Sequence, residues 1–302
     1  MSKIVLSIFV FIVGINMCAQ QQQYNLWEGE IPYNKKGISV KEIVKNYSYH
    51  KITVPQLYHY PSKIKGDKKP AIIVIPGGGY VREAFNHEGF MAGEWFSDKG
   101  VETFVLKYRL PDRELVENAS YVPLMDAQQA IYWVRKNADK YGIDPNNIGV
   151  IGFSAGGHLA ASTSTLFKEP VNSELKSEDV RPDYSILMYP VISMDDAITH
   201  KGSKENLLGK NPTSQMVEKF TLENQVSNET PITLMIHSSN DGGVVVANTE
   251  NYANSLVENG VDVTKIILPI GGHGFGFRKT DEISYWTGYL DIWLNANVIN
   301  KK

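Results

Sequence analysis

The stretch Ile148-Gly-Val-Ile-Gly-Phe-Ser154-Ala-Gly-Gly-His-Leu-Ala160 carries three local signals in succession. Residues 148–151 form a short apolar run with the β-branched content of a buried strand. Gly152-Phe153-Ser154-Ala155-Gly156 then fits the G-x-S-x-G pattern of a nucleophile elbow. Helix-forming residues follow at 158–161. The spacing has a physical reason. A sharp strand-to-helix turn lifts a serine hydroxyl out of a sheet and leaves no room for side chains on either flank, a need that glycine meets at 152 and 156. A helix beginning at Ala155 also aims its amides and positive dipole end at the point where an oxyanion would form. A glycine-rich turn in a nucleotide-binding fold has the same local look. It requires no histidine or acid downstream, however, and this chain carries both.

Outward from the elbow, the strand pattern recurs. Ala71-Ile-Ile-Val-Ile75 is a continuous apolar run, as expected of a parallel strand buried on both faces. Residues 101–106, 184–191, 232–236 and 263–268 read as further strands. Helical patterns fall at about 89–98, 121–141, 246–259 and 282–295, with Gly100 and Gly142 ending the first two. Strands alternating with helices predict an α/β fold: one domain over residues 20–302, with a mostly parallel central sheet covered by helices on both faces as a three-layer sandwich. Residues 47–60 suggest an antiparallel pair of edge strands. Residues 20–37 read as polar and irregular, with Trp27 and Tyr33 as anchors onto the domain. Residues 193–230 interrupt the alternation. They read either as a lid or pocket-forming insertion, or as a surface excursion with one helix at 215–220.

Bulk properties exclude several classes. The 302 residues are 42% hydrophobic and 21% charged, with formal net charge −3 and no basic stripe, which gives no support for nucleic-acid binding. The apolar run at 4–15 follows Lys3 and is far shorter than the ~20 residues that span a bilayer. It reads as a secretory signal peptide over residues 1–19, with cleavage near Ala19, a secreted or periplasmic product and no lasting membrane insertion. A lipid anchor at Cys18 is the alternative, for which Met17 is a poor preceding residue. Cys18 is the only cysteine, so a mature chain starting beyond it has no internal disulfide and no cysteine-based metal site.

A serine nucleophile needs a base, and the base needs an acid to orient it. Of seven histidines, His273 is the candidate base: it sits in Pro269-Ile-Gly-Gly-His-Gly-Phe-Gly, a glycine-rich loop after the last strand. Carboxyl ends of parallel strands are where open α/β sheets place their sites. His158 reads as packing or bonding locally, His237 as structural, and His87 as lining the mouth. The candidate acid is Asp241, just past the strand at 232–236, with Asp195 and Asp196 as rivals. For the oxyanion, the backbone amides of Ala155 and of Gly78 and Gly79 are the expected donors. Pro76-Gly-Gly-Gly-Tyr80 follows a buried strand, where glycines let the backbone approach a carbonyl closely. Tyr80, His87 and Glu88 are candidates for lining the sugar or acyl pocket, or for packing. No metal or organic cofactor is implied.

The order Ser154, Asp241, His273 is that of the α/β-hydrolases. On Pro76-Gly-Gly-Gly-Tyr80, Leu106-Lys-Tyr-Arg-Leu110, Gly152-Phe-Ser-Ala-Gly-Gly-His158, Tyr189-Pro-Val191, Gly202-Ser-Lys-Glu-Asn-Leu-Leu-Gly209 and Gly271-Gly-His-Gly-Phe275, the chain resembles that superfamily. Within it, it is similar to secreted bacterial carbohydrate esterases of the acetylxylan esterase type, in the lipase/esterase-like branch. The resemblance implies an α/β-hydrolase fold and removal of acetyl groups from plant or algal polysaccharides or their oligosaccharides, by way of an acyl-enzyme. Feruloyl esterases, general short-chain esterases and proteins labelled xylanase are relatives in the same branch. Two departures stand out. Pro76 occupies the place of the histidine in the HGGG-type motif, and Asp241 is followed by Gly-Gly-Val-Val where the family often reads Asp-x-x-Val-Pro. A peptidase of the prolyl type and a non-catalytic glycan- or protein-binding hydrolase fold are the other readings. The first needs an extra domain for which the chain has no room, and the second usually lacks a triad member.

Overall fold

The computed structural model describes residues 22–278 and 285–300. The signal peptide expected at 1–19, with Cys18, and the first residues of the helix expected at 282–295 lie outside them. Eleven strands are present among the described residues: β1 Gln22–Asn25, β2 Ile43–Lys45, β3 Ser48–His50, β4 Gln56–Tyr60, β5 Lys69–Ile75, β6 Glu83–Ala84, β7 Glu102–Lys107, β8 Ile143–Phe153, β9 Tyr184–Met188, β10 Ile232–Ser238 and β11 Val263–Leu268. Eight form one sheet in the order β1-β4-β7-β5-β8-β9-β10-β11. From β7 to β11 every neighbouring pair is parallel, and β1 and β4 run antiparallel at one edge.

Period-two alternation along β5 divides its side chains between two cores. Ala71, Ile73 and Ile75 join Phe104, Ile148 and Val150 beneath the helices Val122–Lys136, Ala155–Thr165 and Ala247–Glu258. Ile72 and Val74 join Val105, Ile151 and Phe153 beneath Met91–Asp98 and Trp286–Leu294. All of these sheet residues are fully buried, each contributing about 1.5–3 kcal/mol of transfer free energy for its larger apolar side chain. The expected three-layer arrangement is therefore present.

Four expectations are corrected. Residues 47–60 do not form one antiparallel pair: β3 pairs with β2 and β6 in a separate three-stranded sheet, while β4 enters the main one. The true edge strand is β1, within the stretch read as irregular. Its side chains are mostly exposed, so the polar run Gln22-Gln23 carries no alternation to read. Tyr24 is its one half-buried residue, its ring 5.0 Å from that of Trp133. The helix expected over 121–141 breaks at Asn137 into Val122–Lys136 and Ala138–Tyr141, and ends at Gly142, whose φ of 63° suits a left-handed cap. The segment at 193–230 holds two α-helices, Lys201–Leu208 and Ser214–Phe220, and a 3-10 turn at Leu222–Gln225, rather than one helix.

The two anchors are where they were expected. Trp27 Nε1 donates to Asp126 Oδ1 at 2.9 Å, and Tyr33 packs on Leu115, Val116, Ala119 and Val122. Among the described residues, no helix is long and apolar enough to cross a membrane.

Candidate active site

Ser154 stands between β8 and the helix Ala155–Thr165, with φ 54° and ψ −119°. That backbone region is costly for a residue with a Cβ and persists only where the surroundings impose it. Here they do. A Cβ on Gly152 would run into the Gly156 carbonyl, and one on Gly156 into the carbonyls of Ile75 and Pro76. Glycine at both positions is what lets β8, the helix and the end of β5 meet, leaving the serine side chain 8% exposed at the strand ends.

The loop after β11 brings His273 Nε2 to 2.8 Å from Ser154 Oγ. On the other side of the ring, His273 Nδ1 is 2.7 Å from Asp241 Oδ2. Asp241 lies in the turn after β10, where its Oδ1 accepts the amides of Gly243 and Val244, each at 2.8 Å. Those two amides hold the acid in place without the proline that the family pattern often carries. Burial alone would push the Asp241 carboxyl up. Hydrogen bonds from His237 and His273 and from the Val244 amide outweigh it and hold the group well below the usual carboxylate range. As an ionised acceptor, Asp241 accepts a hydrogen bond from His273 Nδ1–H and leaves the Nε2 lone pair facing the serine hydroxyl. This arrangement can remove a proton from Ser154. Asp195 and Asp196 sit elsewhere: the first caps its own turn at Ala197, and the second pairs with Lys204.

His237, read as structural, has a sharper position. It is fully buried, and its Nε2 lies 3.0 Å from the Val244 carbonyl and 3.1 Å from Asp241 Oδ2. A carbonyl can only accept, so Nε2 carries the proton and Nδ1 accepts from Thr249 Oγ1 at 2.8 Å. The only sequence signal for this second histidine on Asp241 is its four-residue spacing across a strand-end turn.

The glycine run after β5 presents its amides unequally. Gly77 N–H is taken by Glu88 Oε2 at 2.9 Å. Among the described residues, the amides of Gly78, Gly79 and Ala155 have no such acceptor. Gly78, at φ 134°, is confined to glycine because a Cβ there would strike the Arg82 carbonyl. The Gly79 carbonyl is tied to Asn206 Nδ2 at 2.7 Å, which fastens the run to the helix Lys201–Leu208. Glu88 Oε1 accepts from Tyr189 Oη at 2.8 Å, and Tyr189 Oη accepts from Gly276 N at 2.9 Å. One buried carboxyl thus links the glycine run to the segment just after His273.

The three candidate pocket residues separate. His87 and Glu88 border the cavity of about 470 Å³ that contains Ser154 and His273, but Glu88 is only 3% exposed and both its oxygens are engaged within the protein. Tyr80 borders a neighbouring cavity of about 590 Å³ instead. Its hydroxyl is spent on His158 Nδ1 at 2.9 Å, and Tyr80 is itself 3% exposed. His200, Gly202 and Asn206 border the Ser154 cavity, so the segment at 193–230 forms part of its wall. Gly202 and Asn206 belong to the Gly202–Gly209 stretch on which the resemblance rests, but only the fold of the segment places them, with His200, at this cavity. Among the described residues, no group of three His, Cys, Asp or Glu side chains is placed to hold a metal ion.

His158 bonds far from its own neighbourhood in the chain. It is fully buried on the elbow helix, with Nε2 donating to the Phe220 carbonyl at 2.9 Å and Nδ1 accepting from Tyr80. Burial pushes its imidazole down to about 4, against roughly 6.5 in an unfolded chain. Between those values the unfolded state binds more protons than the folded one. Stability is therefore full above pH ~6.5 and is lost as pH falls towards ~4, by about 3 kcal/mol from this group. Urea midpoints measured at pH of about 7.5 and about 4.5 should show the loss, and the fall should be smaller in His158→Gln.

A mostly parallel sheet with Ser154, Asp241 and His273 gathered at its carboxyl strand ends defines an α/β-hydrolase. The family model described as BD-FAE matches residues 57–256, and the chain belongs to that family. It is similar to an acetylxylan esterase of Xylanibacter ruminicola, with 38% identity over 211 residues, 68% of this chain and 41% of that protein. It is also similar to endo-1,4-beta-xylanase B of Butyrivibrio fibrisolvens, with 35% identity over 80% of this chain and 38% of that protein. The chain thus spans about 40% of the length of these curated relatives. Among solved structures, the acetyl ester-xyloside bifunctional hydrolase of Caldicellulosiruptor lactoaceticus superposes with TM-score 0.78 at 36% identity, covering 91% of this chain and 96% of that one.

Proposed function

We propose that the protein is a serine carboxylic-ester hydrolase that removes acetyl groups from an acylated polysaccharide or oligosaccharide such as acetylated xylan. The observation that carries this reading is the hydrogen-bonded series Ser154, His273, Asp241, set beside three backbone amides without an acceptor among the described residues. His273 takes the proton as Ser154 Oγ attacks the ester carbonyl. The amides of Ala155 and of Gly78 and Gly79 receive the charge that develops on the carbonyl oxygen, where fixed donors cost no reorganisation. His273 then protonates the departing sugar oxygen, which leaves as a hydroxyl, and water activated by the same imidazole releases acetate from Ser154. The apolar leader at 4–15 supports placing this reaction outside the cytoplasm.

Glycoside cleavage, which the xylanase relative's name suggests, calls for two opposed carboxyl groups. Among the described residues bordering the Ser154 cavity, Glu88 is the one carboxylate, and its oxygens are already engaged. The ester reading is therefore preferred. Acetate release from acetylated xylo-oligosaccharides, alongside a simple aryl acetate, is the test. Release from both is expected. Activity on the aryl ester alone would sink the xylan assignment and turn the search to pectin, algal glycans or feruloyl esters. Activity on neither would overturn the proposal.

A further inference from the structure

The cavity holding Ser154 is cationic, although the chain carries formal net charge −3. Arg82 borders it from the loop after the glycine run, and Arg278 borders it from the segment after His273. Arg82 Nη1 donates to Ser48 Oγ at 2.9 Å, and Arg278 Nη2 donates to His87 Nε2 at 3.1 Å. Burial, reinforced by the fields of Arg278 and Arg82, pushes the His87 imidazole down to about 4, so it is neutral at ordinary pH. Both arginines thus lie within electrostatic reach of one side chain, and each leans on a neutral partner. Among the described residues, neither forms an ion pair with a carboxylate, whereas Arg109 and Arg135 are paired with Asp126 and Asp183. Glu88 lies within the field of Arg278 but forms no ion pair with it, its oxygens being bonded to the Gly77 amide and the Tyr189 hydroxyl.

Two exposed arginines from different loops, both bordering one cavity beside a reactive serine, suit a ligand that brings its own negative charge. A planar fork of donors matches a carboxylate better than it matches a neutral sugar hydroxyl. We propose that Arg82 and Arg278 form a carboxylate-binding subsite beside Ser154, so that the preferred substrate is an ester carrying a carboxylate near the scissile bond. This rests on the ester-hydrolase reading above and deepens it. The carboxylate has two chemical sources: a uronate in the sugar chain that bears the acetyl group, or the free end of a dicarboxylic acyl group. Because the subsite holds a group that does not react, its effect falls mainly on KM.

Two matched substrate pairs test it. One compares an acetylated oligosaccharide containing a uronate with its neutral counterpart. The other compares the succinyl and butyryl esters of one phenol. In one pair, the acidic member should be favoured about tenfold in kcat/KM at low salt, as expected for charge-assisted guanidinium–carboxylate bonds. The responding pair identifies the source. The preference should shrink in about 1 M NaCl, where exposed charges are screened within a few ångström. It should fall towards parity in the double variant Arg82→Gln, Arg278→Gln, and because each preference is a ratio, partial loss of folded protein cancels. Parity or a preference for the neutral member in both pairs overturns the subsite. Wild-type turnover of a neutral aryl acetate separates that failure from failure of the ester-hydrolase reading itself.

Discussion

Ser154→Ala is expected to lower kcat on an aryl acetate by about 10⁴- to 10⁶-fold, with the melting temperature nearly unchanged. The large loss follows from the geometry. Without Oγ, His273 has nothing to deprotonate at 2.8 Å, and only water held near the free amides remains as a nucleophile. The small structural effect has an equally local cause. Alanine retains the Cβ that fits between the two flanking glycines, and the Ser154 backbone amide and carbonyl keep their bonds to Met188, His158 and Val191. Steady-state kinetics with a matched thermal melt checks both halves. A residual rate within tenfold of wild type would mean that hydrolysis does not pass through this serine.

Asp241→Asn should cost about 10⁴-fold in kcat with little change in KM. Neighbouring donors impose this outcome. The amides of Gly243 and Val244 require an acceptor at one oxygen position, so the asparagine carbonyl must sit there and its NH₂ must face the two histidines. His237 Nε2 is already a donor, as its bond to the Val244 carbonyl requires, and it would meet a second donor. His273 Nδ1 would have to become the acceptor, which moves the ring proton to Nε2 and removes the lone pair that Ser154 needs. Kinetics on the same aryl ester tests this. A loss under tenfold would assign the acid's role to another carboxylate.

Some of this site is readable along the chain and some is not. Ser154 is visible because its backbone conformation demands small flanks, and the glycines at 152 and 156 are a sequence-level consequence of atoms that would otherwise collide. His273 and Asp241 are visible because parallel strands are apolar runs and their carboxyl ends can be counted. The same reasoning places Gly78 and Gly79 after β5, but it cannot say that Gly77 is withdrawn by Glu88 from eleven residues further on. Nor can it assign Tyr80, whose ring belongs to a different cavity because His158 claims its hydroxyl. The β1 edge of the sheet escapes a reading of the sequence for a related reason. β1 is polar and short, so its existence depends on pairing with β4 rather than on its own pattern.

The chain's local chemistry was thus sufficient for the layer architecture, the strand-end positions of Ser154, Asp241 and His273, and the turn that exposes the serine, because each rests on periodicity or on glycine's freedom within a few residues. The tertiary structure alone decided which groups surround them. Glu88 and Tyr189 bridging two loops, Asn206 tied to Gly79, and Arg82 bordering the same cavity as Arg278 all depend on contacts between segments distant in the chain. Such contacts are set by how the segments pack across the sheet ends, and no local pattern records that packing.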